Sequence, residues 1–395
     1  MDHAAIGSEI HGGLCSIQNR YVADIPSDSQ AIDYVSILDG DSFIQNQIEL
    51  ICSTQALAIT DQFMTAKVSR PLFKSLHFQS NLTMIDLSNS FIQDDGIKHL
   101  AQALPTLAQL TVLNLSGNSI TTNGIKHLSA IFDFHTEALM ELKALHLNFN
   151  PLQNQSLTSL SKFCRHLPQL TTLHLTSTEL TNLQDFDLNF NTLTDLDLSF
   201  NIFQPDGLTA AIEKLNACKL IRINFAFCLP VEDTSNSSFI EALTKTLSSG
   251  TCVNFKEIRL DGCGMTDIDC WRVLQPVSRS KVLQCLSLRE NAALTKVTWK
   301  YLLENFSVKE MHLEGCPKMI AGFRETDLDS IFAGHQSENI TISLSNEIPE
   351  KEQVNLLEKV WATMSKSRGR LVRNGTKVLM TLRTDPGMND WTNGL

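Results

Sequence analysis

No run in this 395-residue sequence approaches the roughly 18 consecutive apolar residues that cross a bilayer. The opening MDHAAIGSEIHGGLC also lacks the basic and apolar regions of a secretory signal peptide. Neither a membrane span nor secretion is expected. No C-x-x-C pair occurs among the ten cysteines, which excludes the common zinc-finger and thioredoxin-like motifs. Ten cysteines in 395 residues are too sparse for a disulfide scaffold, so the chain reads as soluble, reduced and intracellular. P-loop, H-E-x-x-H, G-x-S-x-G and dinucleotide-binding signatures are missing. Basic residues are in deficit: 32 Lys+Arg against 43 Asp+Glu give −11. Phosphate binding needs clustered basic side chains, so direct nucleic-acid binding is not expected.

What the chain does have is apolar material, 43% of its residues, and one dominant period. The pattern L-x-x-L-x-L-x-x-N/C recurs in nine units. These begin at Leu82, Leu110, Leu142, Leu170, Leu193, Leu220, Phe255, Leu283 and Val308. Their ninth positions hold Ser90, Asn118, Asn150, Thr178, Asn201, Cys228, Cys263, Asn291 and Cys316. The string GIKHL stands at 96–100 and again at 124–128, the same offset of 28 (124 − 96) that separates Leu82 from Leu110. A degenerate tenth strand, Ile340-Ile342-Leu344, is expected to close the array. The pattern predicts an α/β fold, a leucine-rich repeat solenoid (horseshoe) of about nine to ten repeats with a parallel concave β-sheet and outer helices.

Each feature of the unit has a physical reason. A strand alternates its faces, so Leu113 and Leu115 point inward while Asn114 points out. The ninth residue must donate to backbone carbonyls bared by the turn, which Asn, Ser, Thr or a thiol can do. Ile97, Leu100, Ala101 and Leu104 lie at helical spacing before Pro105, and Leu157, Leu160, Cys164 and Leu167 repeat this before Pro168. Pro205-Asp206 predicts a further helix start. The unit from 170 to 193 is too short for a full helix.

Stacked strands align one outward residue per unit: Asp86, Asn114, His146, His174, Asp197, Asn224, Arg259, Ser287 and His312. His146, His174 and Asp197 fall on consecutive rungs, the donor types of a metal or acid/base cluster. Such a site needs shelter and supporting partners, which an open sheet offers little of, so a polar binding face is preferred. Phe149, Phe200 and Phe227 precede the ninth position of their units, where they can anchor a partner or pack on the neighbouring rung. Further along, Arg222, Glu257, Arg259, Arg289 and Glu310 make the face densely mixed in charge, a means of setting partner specificity. The predicted partner-binding residues are therefore His146, Phe149, His174, Asp197, Phe200, Arg222, Phe227, Glu257, Arg259, Arg289, Glu310 and His312. No catalytic residue, cofactor or metal ligand is assigned.

The ends divide as a mobile lead-in over 1–47, an N-terminal helical cap over 48–79, the array over 80–346, a C-terminal cap over 347–385 and a disordered tail over 386–395. Terminal repeats of a solenoid must be shielded. Val354, Leu357, Trp361 and Met364 predict an amphipathic helix in the second cap. The basic cluster Lys366, Arg368, Arg370 and Arg373 could touch nucleic acid or an acidic partner, and a solvated loop is the preferred reading.

Three segments, NFNPLQNQSLTSLSKFCRHLPQLTTLHL (148–175), SSGTCVNFKEIRLDGCGM (248–265) and LSLRENAALTKVTWKYLLENF (286–306), resemble the C-terminal leucine-rich region of the Tonsoku-like family. NGTKVLMTLR (374–383) resembles that region's end, and the resemblance runs over roughly 80–385. It implies a nuclear, non-catalytic scaffold that binds a large helical-repeat partner and supports homologous recombination at stalled or broken replication forks. That family's tetratricopeptide and histone-reading ankyrin modules have no counterpart in this sequence, so histone reading is not carried over. Two other readings share the same horseshoe: a cytosolic inhibitor or immune-sensor-type module, and a Ran-type GTPase activator. The latter ends in a long acidic tract, whereas residues 351–383 here are mixed to basic.

Overall fold

A strand of three residues exposes its first and last side chains on one face and buries the middle one on the other. Repetition of that alternation organises the protein, as its computed structural model shows. The structure describes residues 54–320 apart from 65, 188–190, 205–206, 208, 210–211, 213–218, 230–236, 249–254 and 279, together with residue 47 and the segments 339–343, 370–374 and 377–381. All belong to one compact unit, Ile44–Leu395.

One 13-stranded sheet runs through it. Its strands are β1 (Ala56–Ala58), β2 (Met84–Asp86), β3 (Val112–Asn114), β4 (Ala144–His146), β5 (Thr172–His174), β6 (Asp195–Asp197) and β7 (Arg222–Asn224). Then come β8 (Glu257–Arg259), β9 (Cys285–Ser287), β10 (Glu310–Leu313), β11 (Asn339–Ser343), β12 (Arg370–Asn374) and β13 (Lys377–Thr381). Consecutive strands from β1 to β11 pair in parallel, each one register step from the last. Helices return the chain between them: α1 (Ala66–Ser75), α2 (Gln93–Ala103), α3 (Thr122–Ser129), α4 (Leu157–Arg165), α5 (Ser237–Ser248), α6 (Asp267–Leu274), α7 (Lys296–Asn305) and the short α8 (Pro317–Ile320). Among the described residues no helix lies between β5 and β6, in agreement with the shortness of that unit. The helix start read at Pro205-Asp206 lies outside the described residues. No helix of the described residues is long and apolar enough to cross a membrane.

The core lies between sheet and helices. Leu113, Leu115 and Leu110 are fully buried there, as are Ile97, Leu100 and Leu104 from α2 and the turn after it. Each such side chain contributes about 1.5–3 kcal/mol. A second spine holds the turns. Asn150 donates from Nδ2 to Leu115 O and Leu147 O (both 2.9 Å), and its Oδ1 accepts from Asn118 N (2.9 Å) and Ile120 N (3.0 Å). Asn118, Asn201 and Asn291 repeat the pattern, and the thiols of Cys228, Cys263 and Cys316 donate at the same position to Leu198 O, Phe225 O and Leu288 O. The residue just before this ladder is left-handed in every unit, at Asn89, Gly117, Phe149, Ser177, Phe200, Phe227, Gly262, Glu290 and Gly315. Helix starts are tied between units as well: Asp94 accepts from Thr121 N and Gly124 N, and Asp267 from Thr295 N.

The ends differ from the sequence reading. Segment 48–79 supplies a strand, β1, as well as helix α1, so the sheet begins one rung earlier than the first Leu-headed unit. β11 does not close the array: β13 adds to it antiparallel, and β12 adds to β13. Arg370 and Arg373 therefore lie on a strand rather than in a loop. The lead-in 1–46, Leu344, Lys366, Arg368, the helix read at Val354–Met364 and the tail lie outside the described residues.

Candidate binding face

Two rows of side chains stand on the sheet face opposite the helices. The residue after each strand's central position gives Asp86, Asn114, His146, His174, Asp197, Asn224, Arg259, Ser287 and His312, in the register read from the sequence. The residue before it gives Met84, Val112, Ala144 and Thr172, then turns mostly charged, with Asp195, Arg222, Glu257 and Glu310 interrupted by the thiol of Cys285. Early rungs are apolar or neutral on this row, and later ones carry both signs.

A continuous polar chain crosses five rungs. His146 Nδ1 lies 2.9 Å from His174 Nδ1, the two rings meeting edge-on with centroids 4.6 Å apart. His174 Nε2 is 3.3 Å from Asp195 Oδ1, and Arg222 donates to Asp195 Oδ2 at 3.1 Å. Arg222 also lies 3.8 Å from Glu257, which pairs with Arg259. An ionised Asp195 only accepts, so Nε2 of His174 carries the proton. One hydrogen bond joins the two Nδ1 atoms across the rungs. Burial, with the adjacent His174, pushes His146 down to about 3, so His146 is neutral at physiological pH. Asp195 is held below the usual carboxylate range: its bond to His174 and the Arg222 charge outweigh the opposing effect of burial.

The sequence reading joined His146 and His174 to Asp197; the structure corrects the carboxylate to Asp195. Asp197 is committed to its own turn. Its Oδ1 accepts from Ser199 N (2.9 Å) and Ser199 Oγ (2.6 Å), while Oδ2 accepts from Asn224 (2.9 Å). Asp86, Asn114 and Asn224 likewise accept from the backbone two residues on. These Asx turns lead the chain off the strand, which is structural work for a row expected to be purely recognition surface.

Phe200 and Phe227 stack with centroids 4.8 Å apart at 18°, and Phe227 in turn lies over Gly262. Each therefore packs on its neighbouring rung, one of the two readings, and each stays partly exposed, as does Phe149. A second stacked pair, Phe63 and Phe91, also 4.8 Å apart, sits at the β1–β2 end and went unread in the sequence. Arg289 donates to the buried Glu314 (2.9 Å) and, through its backbone, to Asp261 (2.8 Å). Asp261 also accepts from Ser287 Oγ at 2.5 Å, and burial raises its carboxyl above the usual range. Cys285, Glu310 and His312 bring one ligand-type atom each within 4.8 Å of one another. The sequence reading missed Cys285; its register between Glu257 and Glu310 was the available signal. Burial pushes the thiols of Cys164, Cys285 and Cys316 up to about 12, so they are protonated at neutral pH. Paired charges, a neutral histidine and part-exposed aromatics suit the recognition of another surface by charge and shape.

These features define the class: the protein is an α/β leucine-rich repeat solenoid. The leucine-rich repeat family model matches it at residues 108–129 and 189–210. More particularly, the chain is similar to Tonsoku-like protein of Drosophila melanogaster, 36% identical over 296 residues. That match takes in 73% of this chain and 21% of that relative, so the chain spans about a fifth of its length. Solved structures similar to it include LegL7, a leucine-rich repeat-containing protein of Legionella pneumophila, and an internalin of Listeria monocytogenes. LegL7 is 16% identical with a TM-score of 0.44, covering 77% of this chain and 98% of its own. The internalin is 15% identical with a TM-score of 0.36, covering 69% and 86%.

Proposed function

We propose that this chain is a non-catalytic scaffold that binds a large helical-repeat protein and serves replication-fork repair and homologous recombination in the nucleus. The similarity to Tonsoku-like protein over 73% of the chain carries the reading. The sheet face supports it. Eleven parallel strands present an edge of roughly 50 Å, ample for the ~800 Å² per partner of a standard interface. The stacked Phe200 and Phe227 supply an aromatic anchor, and the Asp195–Arg222–Glu257 series beside it supplies alternating charge. In this reading 80–346 is the partner-binding array, and the segments 48–79 and 347–385 shield its ends. DNA is engaged through the partner, since the body of the chain is acidic.

The test is co-purification of the tagged full chain from cells, read by quantitative mass spectrometry. The helical-repeat fork-repair partner should be recovered. Phe200→Ala with Phe227→Ala should cost about 2 kcal/mol, near thirtyfold in affinity, as expected for buried aromatic anchors. Folded wild-type chain that recovers none of that partner would overturn the reading. Recovery of a secreted nuclease or a nucleotide-binding module in its place would favour the inhibitor or immune-sensor alternative.

A further inference from the structure

We propose that Cys285, Glu310 and His312 form a zinc site on the sheet face, with one coordination position left open to the groove. The three ligand atoms lie within 4.8 Å of one another. Backbone pairing fixes them: Cys285 opens β9 directly opposite Glu310 at the start of β10, and His312 follows Glu310 on the same face, two residues on. Ligands carried by paired strands are preorganised in a way that loop ligands are not. Cys285 and His312 are buried and Glu310 is exposed, so the cluster opens toward solvent on one side.

The donor chemistry selects the ion. A sulfur, an imidazole nitrogen and a carboxylate oxygen form a mixed set that matches zinc and disfavours calcium or magnesium, which take oxygen shells. Three protein ligands with a water in the fourth position is a common zinc arrangement. A second, independent observation concerns His312. Its Nε2 is 3.3 Å from Glu310 Oε2, yet its Nδ1 is buried with no hydrogen-bond partner among the described residues. Nε2 thus faces the carboxylate, while a buried, unpartnered Nδ1 leaves the ring free to turn either nitrogen to an ion.

Local charge favours a cation. The charged groups felt by Cys285 are Glu257, Glu310 and Asp261 against Arg259. The Arg259 guanidinium is itself paired with Glu257. Binding balances without an oxidant: the S–H bond of Cys285 breaks, the sulfur–zinc bond forms, and the proton passes to solvent. The ion would tie β9 to β10 and place a polarised water on the partner-binding face.

The test uses the full chain, stripped with a chelator and titrated with Co²⁺ as a spectroscopic substitute. About one equivalent should produce a sulfur-to-cobalt charge-transfer band and the intense visible bands of tetrahedral cobalt, both abolished by added Zn²⁺. Cys285→Ser and His312→Gln should remove the sulfur band or the tetrahedral spectrum, and Glu310→Gln should weaken binding about tenfold or more. Cys15→Ser and Cys52→Ser should leave the bands unchanged. Circular dichroism confirms folding of each variant; if Cys285→Ser does not fold, the exposed Glu310→Gln decides, and unchanged cobalt affinity in it overturns the site. So does the lack of any sulfur–cobalt band in wild-type protein with cobalt in excess, or a band that survives Cys285→Ser.

Discussion

Replacing Asn150 with alanine removes one side chain and strands four backbone groups. Nδ2 serves the carbonyls of Leu115 and Leu147, and Oδ1 serves the N–H groups of Asn118 and Ile120. Asn150 is fully buried, so water does not replace these partners without local opening. An orphaned buried backbone group costs about 1–3 kcal/mol, and relaxation of the turn rescues part of the set, which places the loss near 4 kcal/mol. Asn150→Cys sharpens the test. A thiol can still donate to the preceding rung, as Cys228, Cys263 and Cys316 do, but its sulfur is a poor acceptor for Asn118 N and Ile120 N. About half of the loss should return, near 2 kcal/mol. Urea unfolding followed by circular dichroism measures both variants. Because stability in a solenoid is carried by contacts between neighbouring repeats, Asn150→Ala should also lower the slope of the transition or split it in two. A loss below about 1 kcal/mol for the alanine variant, or equal losses for alanine and cysteine, would refute the ladder as the source of turn stability.

Three further outcomes follow from the same geometry. His146 is held neutral, with its folded value near 3 against an ordinary 6.5, so protonation favours the unfolded chain. Stability should therefore be complete above pH 6.5 and fall as pH drops toward 3, by at most about 1.4 kcal/mol per unit and by less for a ring in part exposed; His146→Asn should flatten melting temperature against pH over that window. At Gly262 a Cβ would stand 2.4 Å from the Phe227 ring with φ at +59°, so Gly262→Ala destabilises, and a double-mutant cycle with Phe227→Ala should show coupling of about 1 kcal/mol in urea unfolding. Phe200→Gly with Phe227→Gly should leave folding stability within about 1 kcal/mol of wild type, because the relieved left-handed strain offsets the lost stack, while partner capture drops.

The array was legible because burial acts with a fixed period. Leu-headed units recur wherever a rung must fill the same slot, and the register of His146, His174 and His312 followed directly from it. β1 escaped because its leading position is Thr54 rather than Leu; Leu57 and Ile59 stand 28 residues before Ile85 and Leu87 (85 − 57), and Leu57 pairs with Ile85. Its left-handed residue, Asp61, also matches Asn89. Asp195 escaped for a different reason. Residues 195 and 197 share a face, and period alone does not say which carboxylate reaches a neighbouring ring. The side chain's own turn decides: Ser199 two residues on draws Asp197 back toward the backbone. Cys285 carried no local motif, since its companions come from the next strand rather than from nearby sequence.

The left-handed position before the ladder bears on why the aromatics are where they are. Gly117, Gly262 and Gly315 show the residue the turn accepts most readily. A side chain there costs about 1–2 kcal/mol, because Cβ crowds the following carbonyl. Phe149, Phe200 and Phe227 all bear that cost, and one stacked contact between Phe200 and Phe227 returns about 0.5–1.5 kcal/mol beyond the area it buries. Asn89, Ser177 and Glu290 bear the same strain, so the conformation belongs to the turn, and what sets the three phenylalanines apart is the partly exposed ring each carries there. The same rungs abut the histidine–carboxylate–arginine series, where the side chains are already paired and oriented. A partner meeting this edge encounters aromatic surface and fixed charges whose conformational freedom is already lost, so less ordering cost remains on binding.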